Sequence, residues 1–550
     1  MKKVISFFLT ASLLLTGCAS QAAAEATLPE AAQTLPVTEA EYVSQFPKET
    51  RIFLSDEGIN VEGNQEAVTT SHDIVYYEDR DTYDSGNPYG EGTDADKHTA
   101  DEAASHTVVN ITRPGAYRIS GKLSAGQLRV DLGEEAYEDP DAVVELILDN
   151  VDITCTVAPA ILFQNVYECD GDWSVDTAKA DVDTSAAGAN LILEGRNTVR
   201  GAYVAKIYKD AEGEKKLWKQ DGAIYSYMSM NVYGPGALEL EAENEGLDTE
   251  LHLTLHSGNV VICSGNDGIN TNADGVSVTT INGGNLTIFA GLGNEGDGID
   301  SNGYLVINGG RIFAAANPAA DAGLDSDLGS FIHGGTVIAT GSAMDWAESD
   351  SEQVTMNLQF AAQQAAGSKI TITREDGTEI FSFQDDGSHA RPFTGVILSH
   401  PYFVQGETYH LLVDGIQQAY TGSDLGWGSP RPGGMQEPPE IPGGGFPGQP
   451  PEVPQGFEGE IPENIQPGQR PEPPRGEGSF ASGQRDGSRG PQSQEGEAMP
   501  SPDHSGNQPP EPPEGAAVPQ LGGEGNSTGF RMTDKVNAFT GISTAEETKP

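Results

Sequence analysis

A repeat of about 25 residues in the middle of the chain limits the folds that the sequence can adopt. Segments that open with glycine and an aliphatic residue start 22, 30 and 25 residues apart, at Gly246, Gly268, Gly298 and Gly323. Pairs that end in glycine recur in step, at intervals of 26, 26 and 25 residues: Ser257-Gly258, Gly283-Gly284, Gly309-Gly310 and Gly334-Gly335. Two markers with one period indicate stacked units, because a unit of this length cannot bury its apolar face alone.

The period predicts an all-β fold, a right-handed parallel β-helix (solenoid) with a small C-terminal β-rich cap. About 25 residues suffice for three short strands and their bends, which make one turn of such a helix. Aliphatic residues that follow the glycines, such as Leu247 and Ile269, then stack inside. Side chains alternate along a strand, so Asp248 and Glu250 are expected to point out of the core. A calcium-binding nonapeptide roll is the alternative, but its nine-residue period is absent.

The start of the chain has the order of features of an exported lipoprotein. A positive start and a short apolar run end at Leu15-Thr16-Gly17-Cys18, which resembles a bacterial lipobox. We therefore predict that Cys18 is lipidated and that the protein lies on the extracellular face of the bacterial cell membrane. The apolar run is too short to span a bilayer comfortably, so the expected membrane contact is the lipid anchor alone.

Composition divides the chain further. The predicted segments are a lipoprotein signal peptide at 1–17, a flexible tether at 18–50, an acidic β-rich segment at 51–105, the β-helix at 106–345, the cap at 346–425 and a disordered tail at 426–550. The tail is rich in Pro, Gly and Glu and cannot bury a core. It either reaches through a cell-wall layer or only keeps the protein soluble.

The net charge is −53, from 83 Asp and Glu against 30 Lys and Arg. Such a charge repels nucleic acids, whereas divalent cations that prefer oxygen ligands are suited to it. The chain has four cysteines without a CxxC motif or a Cys/His cluster spaced for zinc. Cys155 and Cys169 could pair in an oxidising compartment, and the sequence leaves this open.

The repeat also predicts columns of oxygen-bearing side chains. Neighbouring turns lie about 4.8 Å apart, so equivalent carboxylates repel each other unless a cation lies between them. We predict Ca²⁺ sites whose ligands come from equivalent positions and the adjacent corners: Asp248, Asp267, Asn270, Asp297, Asp300, Asn302, Asp325 and Asp327. The alternative is a ladder of Asn and Asp side chains that hydrogen-bond between turns without a metal.

Four segments together resemble a known bacterial family, that of carbohydrate-binding domain-containing proteins. They are Gly298-Ile299-Asp300-Ser301-Asn302-Gly303 with the following Val306-Ile307-Asn308-Gly309-Gly310, Ile111 to Gly121, Leu146 to Ile153, and Gly406-Glu407-Thr408-Tyr409. The resemblance covers roughly residues 106–415. It implies a calcium-loaded parallel β-helix that binds cellulose and acidic sugars such as polygalacturonate. The expected partner is therefore a plant-type or acidic polysaccharide, and the oligomeric state stays open.

Catalysis is not expected from the residues beside the repeat. A Ca²⁺-dependent polysaccharide lyase needs a Lys or Arg base, yet residues 221–345 contain no Lys and one Arg, Arg311. A lysine from 206–219 would have to fold over the site to supply it. We expect a binding protein, with a pectate-like lyase and a surface adhesin as the alternatives. Candidate rings for stacking on sugars are Tyr304, Phe331 and Trp346.

Overall fold

A computed structural model describes residues 42–77, 97–171, 173–205, 207–208, 215–216, 219–342, 345–385, 387–423 and 527–545. The predicted signal peptide, the lipidation site Cys18 and most of the predicted tether lie outside these residues. So does the greater part of the predicted tail. The described residues belong to one compact unit.

The described chain is almost entirely β-structure, which confirms the all-β prediction. Its helical segments are the α-helix Ala100–Ala103 and two 3₁₀ turns, Gln65–Ala67 and Ala136–Glu138. The strands before the repeat are Glu49–Leu54, Asn60–Glu62, Val68–Ser71, Thr107–Ile111, Gly115–Leu123, Gly126–Asp131, Val144–Cys155, Ile161–Asn165, Ala189–Glu194, Arg196–Gly201, Ile207–Tyr208 and Lys215–Lys216. In the described ranges, no helix has the length and apolar character of a membrane span.

Three ladders of short strands carry the repeat. The first ladder comprises Gly222–Ser226, Glu245–Thr249, Ile269–Thr271, Ile299–Ser301 and Leu324–Ser326. The second comprises Met230–Tyr233, Leu253–Leu255, Val278–Ile281, Tyr304–Ile307 and Gly329–Ile332. The third comprises Ala237–Ala242, Asn259–Ser264, Asn285–Phe289, Arg311–Ala315 and Thr336–Gly341. Within each ladder every strand pairs in parallel with its equivalent in the next repeat.

The register aligns equivalent side chains of successive repeats. Leu247, Ile269, Ile299 and Leu324 form one column, and each is fully buried. Full burial of such an aliphatic side chain contributes roughly 1.5–3 kcal/mol. A second buried column lies two residues further along each strand. It consists of small polar side chains: Thr249, Thr271, Ser301 and Ser326. The hydroxyl oxygens of Thr271 and Ser301 lie 2.9 Å apart, so the interior column is joined from turn to turn.

The C-terminal cap contains strands from both sides of the proline-rich segment. Its strands are Thr355–Gln364, Ile370–Arg374, Glu379–Phe383, Phe393–Ser399, Thr408–Val413, Ile416–Ala419, Phe530–Arg531 and Val536–Thr544. Strand Val536–Thr544 pairs in parallel with Thr355–Gln364. The assignment of all of 426–550 to a disordered tail is therefore wrong at its end. That boundary was predicted from the overall composition of the segment. Overall composition does not reveal the short run of strand-forming residues after residue 529.

The possible pairing of Cys155 with Cys169 does not occur. Both thiols are free, Cys155 in the core and Cys169 half-buried. Burial raises the pKa of each thiol to about 12, and at Cys169 the neighbouring Glu168 carboxylate adds to the effect, so both stay protonated at neutral pH.

Candidate cation site and aromatic surface

Two columns of polar side chains follow the first ladder from repeat to repeat. The first is defined by strand register and runs Tyr225, Asp248, Asn270, Asp300, Asp325. The second lies at the preceding corner, where each repeat except the last has an acid just before a glycine: Asp221, Glu245, Asp267 and Asp297, with Ala322 in the fifth position. We call these two columns together the acidic ladder. Six of the eight predicted ligands belong to it.

Glycine is required at this corner because the neighbouring turn comes too close for a side chain. A Cβ on Gly246 would lie 2.4 Å from the carbonyl oxygen of Gly268, and one on Gly268 would lie 2.6 Å from that of Gly298. The close approach holds the acids that precede these glycines above one another. The acids that recur with the repeat in the sequence are thus stacked above one another in the structure.

Backbone amides orient the corner acids. The amide of Asp297 donates to Asp267 Oδ1 at 2.7 Å, and the amide of Ala322 donates to Asp297 Oδ1 at 2.6 Å. Each of these carboxylates thus uses one oxygen to bind the next turn. Its second oxygen remains for another partner.

The acidic ladder is more buried than alternation along the strand predicted. Asp248 was expected to point outward but is 0% exposed, and Asp267 and Asn270 are also buried. The preceding turn lies directly against Asp248, since a Cβ on Gly222 would be 2.5 Å from the Asp248 Cβ. Asp297, Asp300 and Asp325 are partly exposed. The expectation that Asp248 lies on an open face is therefore wrong.

Several oxygens of the acidic ladder are buried without a hydrogen-bond donor. Asp248 Oδ1 accepts from Asn272 Nδ2 at 2.7 Å. Within the described residues, however, no donor reaches Asp248 Oδ2, Glu245 Oε2 or Asn270 Oδ1. A buried acceptor without a partner costs about 1–3 kcal/mol, and more when it is charged. These oxygens therefore require protons or a cation.

Burial raises the pKa of the carboxyl groups in the acidic ladder. For Asp267 and Asp297 burial is the main cause, followed by repulsion from Glu245 and from Asp267 respectively. The pKa of Asp300 is raised by burial and then by Asp267 and Asp297. The pKa values of Glu245 and Asp248 are also raised by burial, then by Asp248 and Asp221 respectively. Such mutual repulsion arises only between carboxylates that lie close together.

The remaining predicted ligands, Asn302 and Asp327, lie just after the strands of the first ladder. Asn302 Nδ2 donates to the backbone oxygen of Asn272 at 3.1 Å and to Asp274 Oδ1 at 3.2 Å, whereas Asp327 is exposed. In the parts of the chain that the structure describes, no group of three or more His, Cys, Asp or Glu side chains has the arrangement of a metal site.

Sequence reasoning missed the end of the acidic ladder nearest the N-terminus. The ammonium group of Lys219 lies 2.9 Å from Asp221 Oδ2. Asp221, then Glu245 and Asp248 raise its pKa against the opposing effect of burial. The signal was present, because Asp221-Gly222 and Glu245-Gly246 repeat the acid–glycine pattern of Asp267-Gly268. The structure thus brings a lysine to the acids, as the lyase alternative required.

Two of the three candidate sugar-stacking rings are neighbours on the second ladder. The ring centroids of Tyr304 and Phe331 are 6.2 Å apart, and the His333 ring lies 6.3 Å from Phe331. All three side chains are partly exposed. We call Tyr304, Phe331 and His333 the aromatic strip. Trp346 packs against the hydrophobic core.

Fold and site define an all-β repeat protein with stacked carboxylates along one ladder and aromatic rings along another. The family of carbohydrate-binding domain-containing proteins matches residues 105–394, more than half of the 550 residues. The chain belongs to this family.

A relative from Acetivibrio thermocellus, a carbohydrate-binding domain-containing protein, is 30% identical over 174 residues, which are 31% of this chain and 51% of the relative. The chain thus spans about half the length of that relative. A solved structure, the gadolinium derivative of a polysaccharide lyase-like protein from C. thermocellum, shares 20% identity with a TM-score of 0.32. The similarity covers 52% of this chain and 93% of the other.

Proposed function

We propose that this protein is a lipid-anchored, cell-surface carbohydrate-binding protein that depends on Ca²⁺ and recognises acidic or plant-type polysaccharide. In this proposal the three parallel ladders are the faces of a right-handed β-helix, and Cys18 carries the lipid. The observation that carries the calcium part is the set of buried ladder oxygens that no donor in the described part of the chain reaches. Membership of the carbohydrate-binding family supports the carbohydrate part.

Calcium suits the chemistry of the acidic ladder. Ca²⁺ takes six to eight oxygens, which come from carboxylates, amide side chains, backbone carbonyls and water. Asp267, Asp297 and Asp300 would supply carboxylates, while Asn270 and Asn302 would supply amide oxygens. A bound cation would remove the repulsion that raises the pKa of these acids. It would also give an acidic polysaccharide a positive centre to bind.

Calorimetric titration with CaCl₂ tests the metal proposal. The Asp300→Asn variant removes one charge beside Asp267 and Asp297 and keeps the shape. We expect Ca²⁺ binding to weaken by about tenfold or more, the effect of a loss of about 1.4 kcal/mol. Glu375→Gln, at an exposed turn of the cap, is the control and should bind as the wild type does. Absence of Ca²⁺ binding by the wild type, with no effect of EDTA on the melting temperature, would refute the proposal.

Binding to polygalacturonate and to cellulose oligosaccharides tests the role of the aromatic strip. Pyranose rings stack on aromatic faces, so Tyr304→Ala and Phe331→Ala should each weaken binding by about tenfold. Phe53→Ala removes an exposed ring of the first strand and serves as the matched control. Unchanged affinity of both strip variants would show that sugar binds elsewhere.

The lyase alternative would assign the base to Lys219. The acids around Lys219 raise its pKa, so the amine is protonated, whereas a base must be free to accept a proton. Arg311 pairs in register with Asn285 and Thr336 on the third ladder, not with the acidic ladder. We therefore expect no unsaturated product, measured by ultraviolet absorbance, from polygalacturonate with Ca²⁺.

A further inference from the structure

The end of the acidic ladder nearest the N-terminus differs from the rest because a lysine lies over it. Asp221, Glu245 and Asp248 come together there, and Lys219 contributes the positive charge, 2.9 Å from Asp221 Oδ2. Further along the ladder, around Asp267, Asp297 and Asp300, the groups that raise each carboxyl pKa besides burial are other acids. One ladder thus has an end with a built-in cation and an end without one.

Buried oxygens show that the lysine does not satisfy this end completely. Glu245 is 4% exposed and Asp248 0%. One side-chain oxygen of each, Oε2 and Oδ2 respectively, is reached by no donor within the described residues. These two buried oxygens and the Asp221 carboxylate are hard ligands of the kind that Ca²⁺ binds.

Lys219 is held less firmly than the acids it neutralises. Its side chain is 51% exposed, whereas that of Asp221 is 9% exposed. A half-exposed ammonium group can reach water without moving the surrounding backbone, so a cation of higher charge can replace it beside the acids. The buried carboxylates cannot move out in the same way. A divalent cation that entered would find its ligands in place and would displace the lysine.

We propose that Lys219 is a tethered counter-ion that occupies a divalent-cation site of Asp221, Glu245 and Asp248 and competes with Ca²⁺ for it. The site fills after the lysine-free end of the ladder, so Lys219 sets the calcium concentration at which the ladder becomes fully loaded. This inference rests on the proposed binding of Ca²⁺ by the ladder.

Calorimetric titration of the full chain with CaCl₂ tests the competition. Lys219→Gln keeps most of the side-chain length and removes the charge. We expect it to bind the last Ca²⁺ about tenfold more tightly than the wild type, or to bind one additional ion. Lys219→Arg keeps the charge and should behave as the wild type does. Lys122→Gln, which removes a lysine paired with Asp152 at 2.7 Å away from the ladder, is the matched control.

Chemical labelling tests the competition in the wild-type chain, so the result does not depend on the folding of a variant. Ca²⁺ should release Lys219 from the acids, so an amine-acetylating reagent should modify it several-fold faster with CaCl₂ than with EDTA, as measured by mass spectrometry. The labelling rate of Lys122 should not change. An acceleration at Lys219 alone supports the competition.

The outcomes separate this inference from the proposed function. If the wild type binds Ca²⁺ and Lys219→Gln binds it with the same affinity and stoichiometry, the competition is refuted and the calcium proposal stands. If Lys219→Gln binds Ca²⁺ and the wild type does not, the site is confirmed and native calcium dependence is refuted. If neither binds, both fail.

Discussion

A chain that ends at residue 425 is expected to lose its folded cap, whereas a chain with residues 424–525 replaced by a short Gly/Ser linker is expected to keep it. The truncation removes Phe530, Met532, Phe539 and Ile542, each no more than 2% exposed. At roughly 1.5–3 kcal/mol for each buried side chain, their loss amounts to about 6–12 kcal/mol. That is comparable to the whole stability of a typical domain.

The linker variant keeps these side chains because the two ends of the excised segment meet. Tyr420 pairs with Ser527, and Gly422 pairs with Thr540, in antiparallel bridges. About six linker residues therefore suffice, since an extended chain spans roughly 3.3 Å per residue. Circular dichroism melting and limited proteolysis of both variants against the full chain provide the measurement. Equal stability of the truncated chain would show that strand Val536–Thr544 contributes nothing to the cap.

The metal-free protein is expected to become less stable as pH rises from about 4 toward neutrality, opposite to the trend of a protein whose acids are held in salt bridges. The pKa values of Glu245, Asp248, Asp267, Asp297 and Asp300 are raised in the folded chain. In the unfolded chain these groups titrate near pH 4. Between the two values the folded chain holds more protons than the unfolded chain, so the free energy of unfolding falls with pH.

Each raised carboxyl contributes about 1.4 kcal/mol per unit of pKa shift. The contribution is complete below the unfolded pKa and is lost as pH rises through the folded pKa. For several such groups we expect the melting temperature in EDTA to fall by on the order of 5 °C or more between pH 5 and pH 8. Acids with a lowered pKa, such as Glu49 beside Arg118, act in the opposite direction.

Thermal melts in EDTA and in CaCl₂, for the wild type and for Asp300→Asn, isolate the ladder from these other acids. Asp300→Asn should show a weaker dependence on pH, because it has one raised carboxyl fewer. Ca²⁺ binds deprotonated carboxylates, so it should stabilise the wild type most at pH 8. A melting temperature that rises from pH 5 to pH 8 in EDTA, equally in both proteins, would contradict this account.

The repeat in the sequence predicted the parts of the fold that depend on local spacing. Glycines at a corner and aliphatic residues just after it are needed in every turn, so their period appears in the sequence. That period placed Asp248, Asn270, Asp300 and Asp325 in one column, as the strand register has them. Alternation along a strand predicted which side chains point into the core and which point away from it. It did not predict how exposed the outward side chains are, because their exposure depends on the atoms of the neighbouring repeat that cover them.

The β-rich fold, the stacking of equivalent residues and the rows of acids could be predicted from the repeat, since each follows from interactions between neighbouring repeats of similar sequence. Three features required the folded structure: Asp248 is enclosed, Lys219 lies over the first acids, and residues 527–545 return to complete the cap. These features come from contacts that occur once and join segments of unlike sequence. Contacts that occur once leave no periodic pattern in the sequence. They form only because the folded chain brings these distant segments together.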